Sequence, residues 1–139
     1  MQTLAVTRER QLVFVRQFRH GTRTLSWEPS GGIVEAGENP VAAGVRELAE
    51  ETGYRGANAR AIGFCEPNPA IFNNRSHFVL VEDCALAGAT APDPNEELEV
   101  ALFSPAEVEA MIRRGEIRHA LAQLGIYHLR LARPDLFAA

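Results

Sequence analysis

Strands and helices interleave along this chain, and the interleaving predicts an α/β domain. Three observations carry that expectation. From Gln11 to Phe18 the residues Leu12, Phe14, Arg16 and Phe18 alternate with Val13, Val15, Gln17 and Arg19, the two-residue period of a strand. From Pro40 to Thr52 the period becomes helical: Glu47, Glu50 and Glu51 fall within one arc of roughly 100°, while Val41, Val45, Leu48 and Thr52 fall in another. Near the C-terminal end a second amphipathic run, Ile117 to Ala132, has the spacing of a helix that covers the remaining sheet face. With 139 residues and 15.2 kDa, the whole of 1–139 reads as a single domain. A chain of this size buries roughly two thirds of its unfolded surface.

Composition narrows the function classes. Hydrophobic content of 46% with 23% charged residues is ordinary for a soluble globular protein. A net charge of -4 argues against a broad basic surface for nucleic acid. An anionic substrate would then need local arginines and a cation to reverse the field at its site. Cys65 and Cys84 lack metal-ligand spacing, so buried free thiols in a reducing compartment are expected. The sequence has neither a signal peptide nor a long apolar run, which makes the cytoplasm the default location and gives no membrane partner.

Taken in order, Leu4 to Val6 and Gln11 to Phe18 read as strands around the polar turn Thr7 to Arg10. Both faces of the second strand start apolar and end in arginine. Arg16 and Arg19 are thus expected together at its end, beside His20 and Gly21, where a sheet commonly meets its ligand. Leu25 to Glu28 is a short strand feeding Pro29 to Gly32, with Trp27 expected in the core. The helix from Pro40 has Asn39 as its N-cap and Gly53 as a left-handed stop, and Gly32 and Gly37 suit the tight loop before it. Ala43 and Gly44, along the acidic side, are expected to leave room for a ligand. Asn58 to Phe64 and Ser76 to Val81 read as strands around the turn-rich loop CEPNPAIFNNR, and His77 reads as a hydrogen-bonded strand histidine. A surface loop, Ala85 to Asn95, precedes a strand from Leu98 to Phe103. Ser104 and Pro105 then start a helix over Ala106 to Arg114 that stops at Gly115. In the last helix Ala120, Leu121, Leu124, Tyr127, His128 and Leu131 carry the packing pattern. There is no internal repeat.

The chemistry lies in the acidic arc. Like charges at i,i+4, such as Glu47 and Glu51, destabilise a helix unless something compensates them. A hard divalent cation would do so, since Mg²⁺ takes oxygen ligands from one or two carboxylates together with water and substrate phosphates. Arg46 can pair with Glu50 one turn on and hold it in place. The alternative is a solvated acidic face.

The frame around the arc decides between them. Gly32, five residues, Glu38, seven residues, Arg46-Glu47-Leu48, one residue, Glu50-Glu51, one residue, Gly53 and Tyr54 resemble the signature of the Nudix hydrolases. At Tyr54 the family more often has an aliphatic residue. The resemblance implies an α/β/α sandwich around a mixed sheet and hydrolysis of a nucleoside diphosphate linked to another moiety. It implies Mg²⁺, with Mn²⁺ as a substitute, held by Glu47, Glu51, Glu50 and the Gly31 carbonyl. Glu50, supported by Arg46, and a loop glutamate are the catalytic candidates.

Further segments resemble the ADP-ribose pyrophosphatase-like subgroup. In VRQFRHG, the arginine at the Arg19 position contacts the substrate diphosphate, and Arg16 belongs to the same segment. Glu28 stands where that subgroup has the glutamate of ELPAG, although Pro29-Ser30 replaces its Leu-Pro. Pro69 falls 16 residues after Gly53, a marker of that subgroup, with Ala70 and Ile71 following where diadenosine polyphosphate hydrolases carry a tyrosine nearby. Arg75 matches an arginine of the same loop, with Asn74 where many have glutamate. In PNEELEV, Glu97 and Glu99 alternate with Leu98 and Val100 and read as solvated, whereas Glu96 at the loop edge is freer to swing. A glutamate in a similar place serves those relatives as catalytic base; its counterpart reading here is a surface charge. The terminal GEIRHALAQLGIYHL also resembles that subgroup. Arg16, Arg19, Glu28 and Arg75 are therefore the substrate-binding candidates. A homodimer is implied too; the relatives carry further N-terminal strands, often exchanged across a dimer, whereas Met1 here lies a few residues before the first strand. The alternatives are a Nudix hydrolase of nucleoside triphosphates or dinucleotides, and a Nudix module that senses nucleotides without turnover. Sensors usually show lost box glutamates or an attached DNA-binding domain, and this sequence has neither.

Overall fold

The computed structural model describes residues 1–91 and 98–138. Its elements are β1 (Gln2–Thr7), β2 (Leu12–Arg19), β3 (Thr24–Gly31), α1 (Pro40–Thr52), β4 (Tyr54–Cys65), β5 (Ser76–Leu86), β6 (Glu99–Phe103), α2 (Pro105–Arg113) and α3 (Ala120–Ala132), followed by a 3-10 turn at Pro134–Phe137. Six strands form one sheet in the order β4-β5-β1-β3-β2-β6. β1 runs parallel to β5 while the other pairs are antiparallel, so the sheet is mixed.

β1 is the fork of the sheet. Its first residues, Gln2 and Thr3, pair with Gly31 and Ser30 of β3, whereas Ala5 and Val6 pair with Val13 and Leu12 of β2. Every residue of β1 is buried. Strand alternation divides the core in two. Leu4, Val6, Leu12, Phe14, Phe78 and Leu80 pack against Val108 and Met111 of α2 and Ala122, Ile126 and Leu129 of α3. On the opposite face Ala5, Val13, Val79 and Val81 pack with Leu48, joined by half-buried Val41 and Val45 of α1. The result is the expected α/β/α sandwich.

The local signals that bound α1 hold. Asn39 Oδ1 accepts from the amides of Val41 at 2.8 Å and Ala42 at 3.4 Å, and Gly53 closes the helix at φ 73°. α2 begins with a capping box between Ser104 and Glu107. Trp27 is half-buried and meets Phe103 edge to face at 5.1 Å between ring centres, a packing role as expected. Cys65 and Cys84 are free thiols, and burial pushes the Cys84 thiol up to about 11.

Three expectations fail. α3 begins at Ala120 rather than Ile117, and its buried side is Ala122, Gly125, Ile126 and Leu129; Ala120, Tyr127 and Leu131 are exposed. Apolar residues occur all around this helix, so their spacing alone does not select the packed side. β4 begins directly after Gly53 instead of at Asn58, because its polar first half is an edge strand held by pairing with β5. Ala43 and Gly44 leave no room for a ligand. They are buried against the sheet, where the Gly44 carbonyl accepts from Thr3 Oγ1 at 3.1 Å. Among the described residues no helix is long and apolar enough to cross a membrane.

Candidate active site

α1 leans its second half against the end of β3. The acidic arc is consequently not uniform: Glu51 is buried at 4% exposure, while the side chains of Glu47 and Glu50 are 17% and 45% exposed. Burial of a carboxylate requires donors. One is the Gly31 amide, which donates to Glu51 Oε2 at 3.2 Å and ties the metal candidates Gly31 and Glu51 together. Gly32 explains itself by close approach, since a Cβ there would collide with the Glu47 carboxylate.

Arg46 organises the rest. Its Nη1 donates to Glu47 Oε1 at 3.0 Å and to Glu50 Oε2 at 3.2 Å, the second being the expected i,i+4 pair. Its Nε and Nη2 grip Glu38 at 3.0 and 3.2 Å, and Nη2 also reaches the Ile33 carbonyl at 3.5 Å. One guanidinium therefore braces the loop 33–38 and two box carboxylates at once. Among the described residues no three His, Cys, Asp or Glu side chains converge into a closed metal cage. The donor set still suits a hard cation that takes few protein oxygens and keeps the rest for water and phosphate: hard oxygens on one side, one of them buried and oriented.

The substrate-binding candidates separate. Arg16 and Arg19 are three apart in β2, so they leave opposite faces of the strand. Arg16 pairs with Glu99 and lies over the Trp27 ring, 5.3 Å from its centre. It is not brought to Arg19 as expected. Arg19 extends back along β3 to Glu28, with Nε 3.0 Å from Oε1 and Nη2 2.6 Å from Oε2. Glu28 is fully buried as an anchor behind Arg19, and it also lines a cavity beside them. The cavity, of about 600 Å³, is lined by Arg19, His20, Thr24, Ser26, Arg118 and His119 among others. Arg75 precedes β5 at the Gly31 end of the sheet, since Gln2 pairs both with Gly31 and with Phe78. It is exposed, 3.6 Å from Glu66, and stacks on Phe64 at 5.1 Å. Glu96 lies outside the described residues, as does Glu97.

His119 is the contact the sequence did not disclose. Its Nδ1 sits 2.8 Å from Glu28 Oε2, across 91 positions of chain. Burial pushes the Glu28 pKa up, but the His119 and Arg19 side chains beside it outweigh that and hold the carboxyl at about 2, against an ordinary 4.5. A depressed carboxyl stabilises the fold above its unfolded pKa, and that contribution is lost as pH falls from about 4.5 toward 2. A shift of this size corresponds to about 3 kcal/mol. The melting temperature of the parent should therefore converge with that of Glu28→Gln across this window. Parallel curves in scanning calorimetry would remove the Glu28 charge from the stability.

Carboxylates on a helix facing a glycine at a strand end are oxygen donors of the kind a hard divalent cation takes, the arrangement of a metal-assisted hydrolase class. The NUDIX domain matches residues 3–124, and the chain belongs to the Nudix family as one of its pyrophosphohydrolases, enzymes that generally use a divalent metal. The chain is 30% identical over 129 residues to the ADP-ribose pyrophosphatase of Bacillus subtilis, covering 92% of this chain and 70% of that protein. It is 30% identical to the GDP-mannose pyrophosphatase of Citrobacter koseri, covering 91% and 70%. Against the ADP-sugar pyrophosphatase of Mus musculus it is 39% identical over 70 residues, half of this chain and 32% of that one. A solved structure described as an ADP compounds hydrolase superposes with a TM-score of 0.85 at 19% identity, over 96% of this chain and 71% of that one, a likeness of fold.

Proposed function

We propose that the chain hydrolyses the diphosphate linkage of a nucleoside diphosphate derivative, ADP-ribose or a related nucleoside-diphosphate sugar, with Mg²⁺ as the cation. The carrying observation is the buried Glu51 held to the Gly31 amide beside Glu47 and Gly32. Glu47, Glu51, Glu50 and the Gly31 carbonyl would hold the ion. When bound, it would neutralise diphosphate charge and make phosphorus more open to attack by water. The chain's own part is placement. Arg46 orients Glu47 and Glu50, Arg19 reaches the diphosphate from the Glu28 anchor, and a loop glutamate takes the proton of the attacking water. Nucleoside monophosphate and the other phosphorylated half are the products.

Glu96, which lies outside the described residues, is the proposed base. The Ala91 amide donates to the Glu50 carbonyl at 2.8 Å, and Glu99 pairs with Arg16 on β2. A second copy of the chain is the proposed partner, with sedimentation as its measure.

A Mg²⁺-dependent screen of nucleoside diphosphate derivatives, triphosphates and dinucleotides with product identification tests the reading. Release of AMP or another nucleoside monophosphate from a diphosphate sugar supports it. Binding without turnover would favour a sensing module. For Arg19→Ala, kcat/KM toward diphosphate substrates should fall by the equivalent of about 1.5 to 3 kcal/mol, the usual size for a lost charge-assisted hydrogen bond. Unchanged kinetics would leave Arg19 a structural strand-end residue.

A further inference from the structure

We propose that His119 is a positioning residue for Arg19: its Nδ1 proton fixes one oxygen of the buried Glu28, and Glu28 in turn fixes the guanidinium that faces the substrate. The functional consequence rests on the reading of Arg19 as a diphosphate contact.

The geometry has three parts. Glu28 is wholly buried, and its carboxylate sits between fixed partners. Arg19 approaches both oxygens, with Nη2 on Oε2 at 2.6 Å, and His119 takes a further place on the same oxygen at 2.8 Å. His119 Nδ1 is itself cut off from solvent, and its 2.8 Å approach to Glu28 is a close polar contact without the alignment of a full hydrogen bond. A ring nitrogen without a proton would set its lone pair against an anionic oxygen at this distance. The proton therefore belongs on Nδ1, where the contact becomes attractive.

The local backbone agrees. His119 occupies the N-cap of α3, where Ser, Thr, Asp or Asn would cap the first-turn amides. Its side chain makes no capping bond and turns to Glu28 instead. The preceding residue reinforces the same junction: Arg118 Nη2 donates to Thr24 Oγ1 at 3.1 Å, and Thr24 is the register partner of Arg19. Residues 118 and 119 thus clamp the β2–β3 hairpin where Arg19 enters the cavity wall. Without the histidine, Glu28 would retain the arginine but lose the donor that stops the pair from turning together.

Two substitutions separate donation from bulk. His119→Leu keeps volume and removes the donor; His119→Asn presents an amide N–H near the Nδ1 position. KM for the diphosphate substrate should rise about tenfold in His119→Leu with kcat within about twofold, and His119→Asn should stay within about threefold of the parent in both. A second readout needs no turnover. The Arg19 Nε–H signal in a proton–nitrogen NMR spectrum, identified by its loss in Arg19→Lys, should exchange slowly in the parent and in His119→Asn and rapidly in His119→Leu. If turnover fails for every substrate, the function reading falls and the NMR result alone decides the positioning. An unchanged Arg19 signal in folded His119→Leu overturns the proposal. Should His119→Leu not fold, loss of the signal in His119→Asn overturns it as well, and its retention supports it.

Discussion

Glu51→Gln is expected to lower kcat on the order of 10³-fold, about 4 kcal/mol of transition-state stabilisation, while the melting temperature stays close to the parent's. The sequence placed Glu51 on an open acidic face; the structure buries it and gives it the Gly31 amide as a donor. An amide side chain has nearly the same shape and keeps an oxygen to accept that N–H, so the packing survives. What it loses is the anionic oxygen on which a hard cation depends. Two measurements check this together: kcat at saturating Mg²⁺, and Mn²⁺ binding by calorimetry, which should weaken in parallel. Near-parental turnover at saturating Mg²⁺ would remove Glu51 from the metal site.

Glu96→Gln is expected to reduce kcat by about 10² to 10⁴, the range for loss of a general base, with substrate and Mg²⁺ binding little altered. Box glutamates engaged with a cation are poor proton acceptors, so the acceptor should come from elsewhere. Ala91, the last described residue before that stretch, donates its amide to the Glu50 carbonyl at 2.8 Å. Comparing kcat against pH for the parent, Glu96→Gln and Glu97→Gln assigns the role. A large loss confined to Glu97→Gln would move the assignment by one residue. Parental rates in both variants would return the base to the box, with Glu50 the half-exposed candidate.

Spacing made α1 legible. Asn39, Pro40 and Gly53 announce its ends through their own backbone chemistry, and the rigid intervals of the box carry the family resemblance. A helical wheel gives angles but not which angle faces the sheet, and for that reason neither the burial of Glu51 nor the packed role of Gly44 could be read from it. The divergence of Arg16 and Arg19 was available in their odd separation, yet reading both merely as strand-end arginines concealed it. His119 had no local signature beyond a histidine where a capping residue is favoured. Its partner is 91 positions away, and only the fold brings the two together.

Gly44 carries no side chain and sets the tolerance of the whole assembly. A Cβ at that position would stand 2.9 Å from Thr3 Oγ1 and 3.1 Å from the Val79 side chain, both in the central strands. The helix therefore rests on the sheet at nearly backbone contact, and a single methyl group would act as a wedge beneath it. Glu47 and Glu51, three and seven residues along the same rod, would be lifted relative to Gly31, which is fixed in the sheet. A displacement of about 1 Å is enough to cost on the order of 10²-fold in rate when reacting groups must align. In this chain the thinnest side chain governs how accurately the most highly charged ones are aimed.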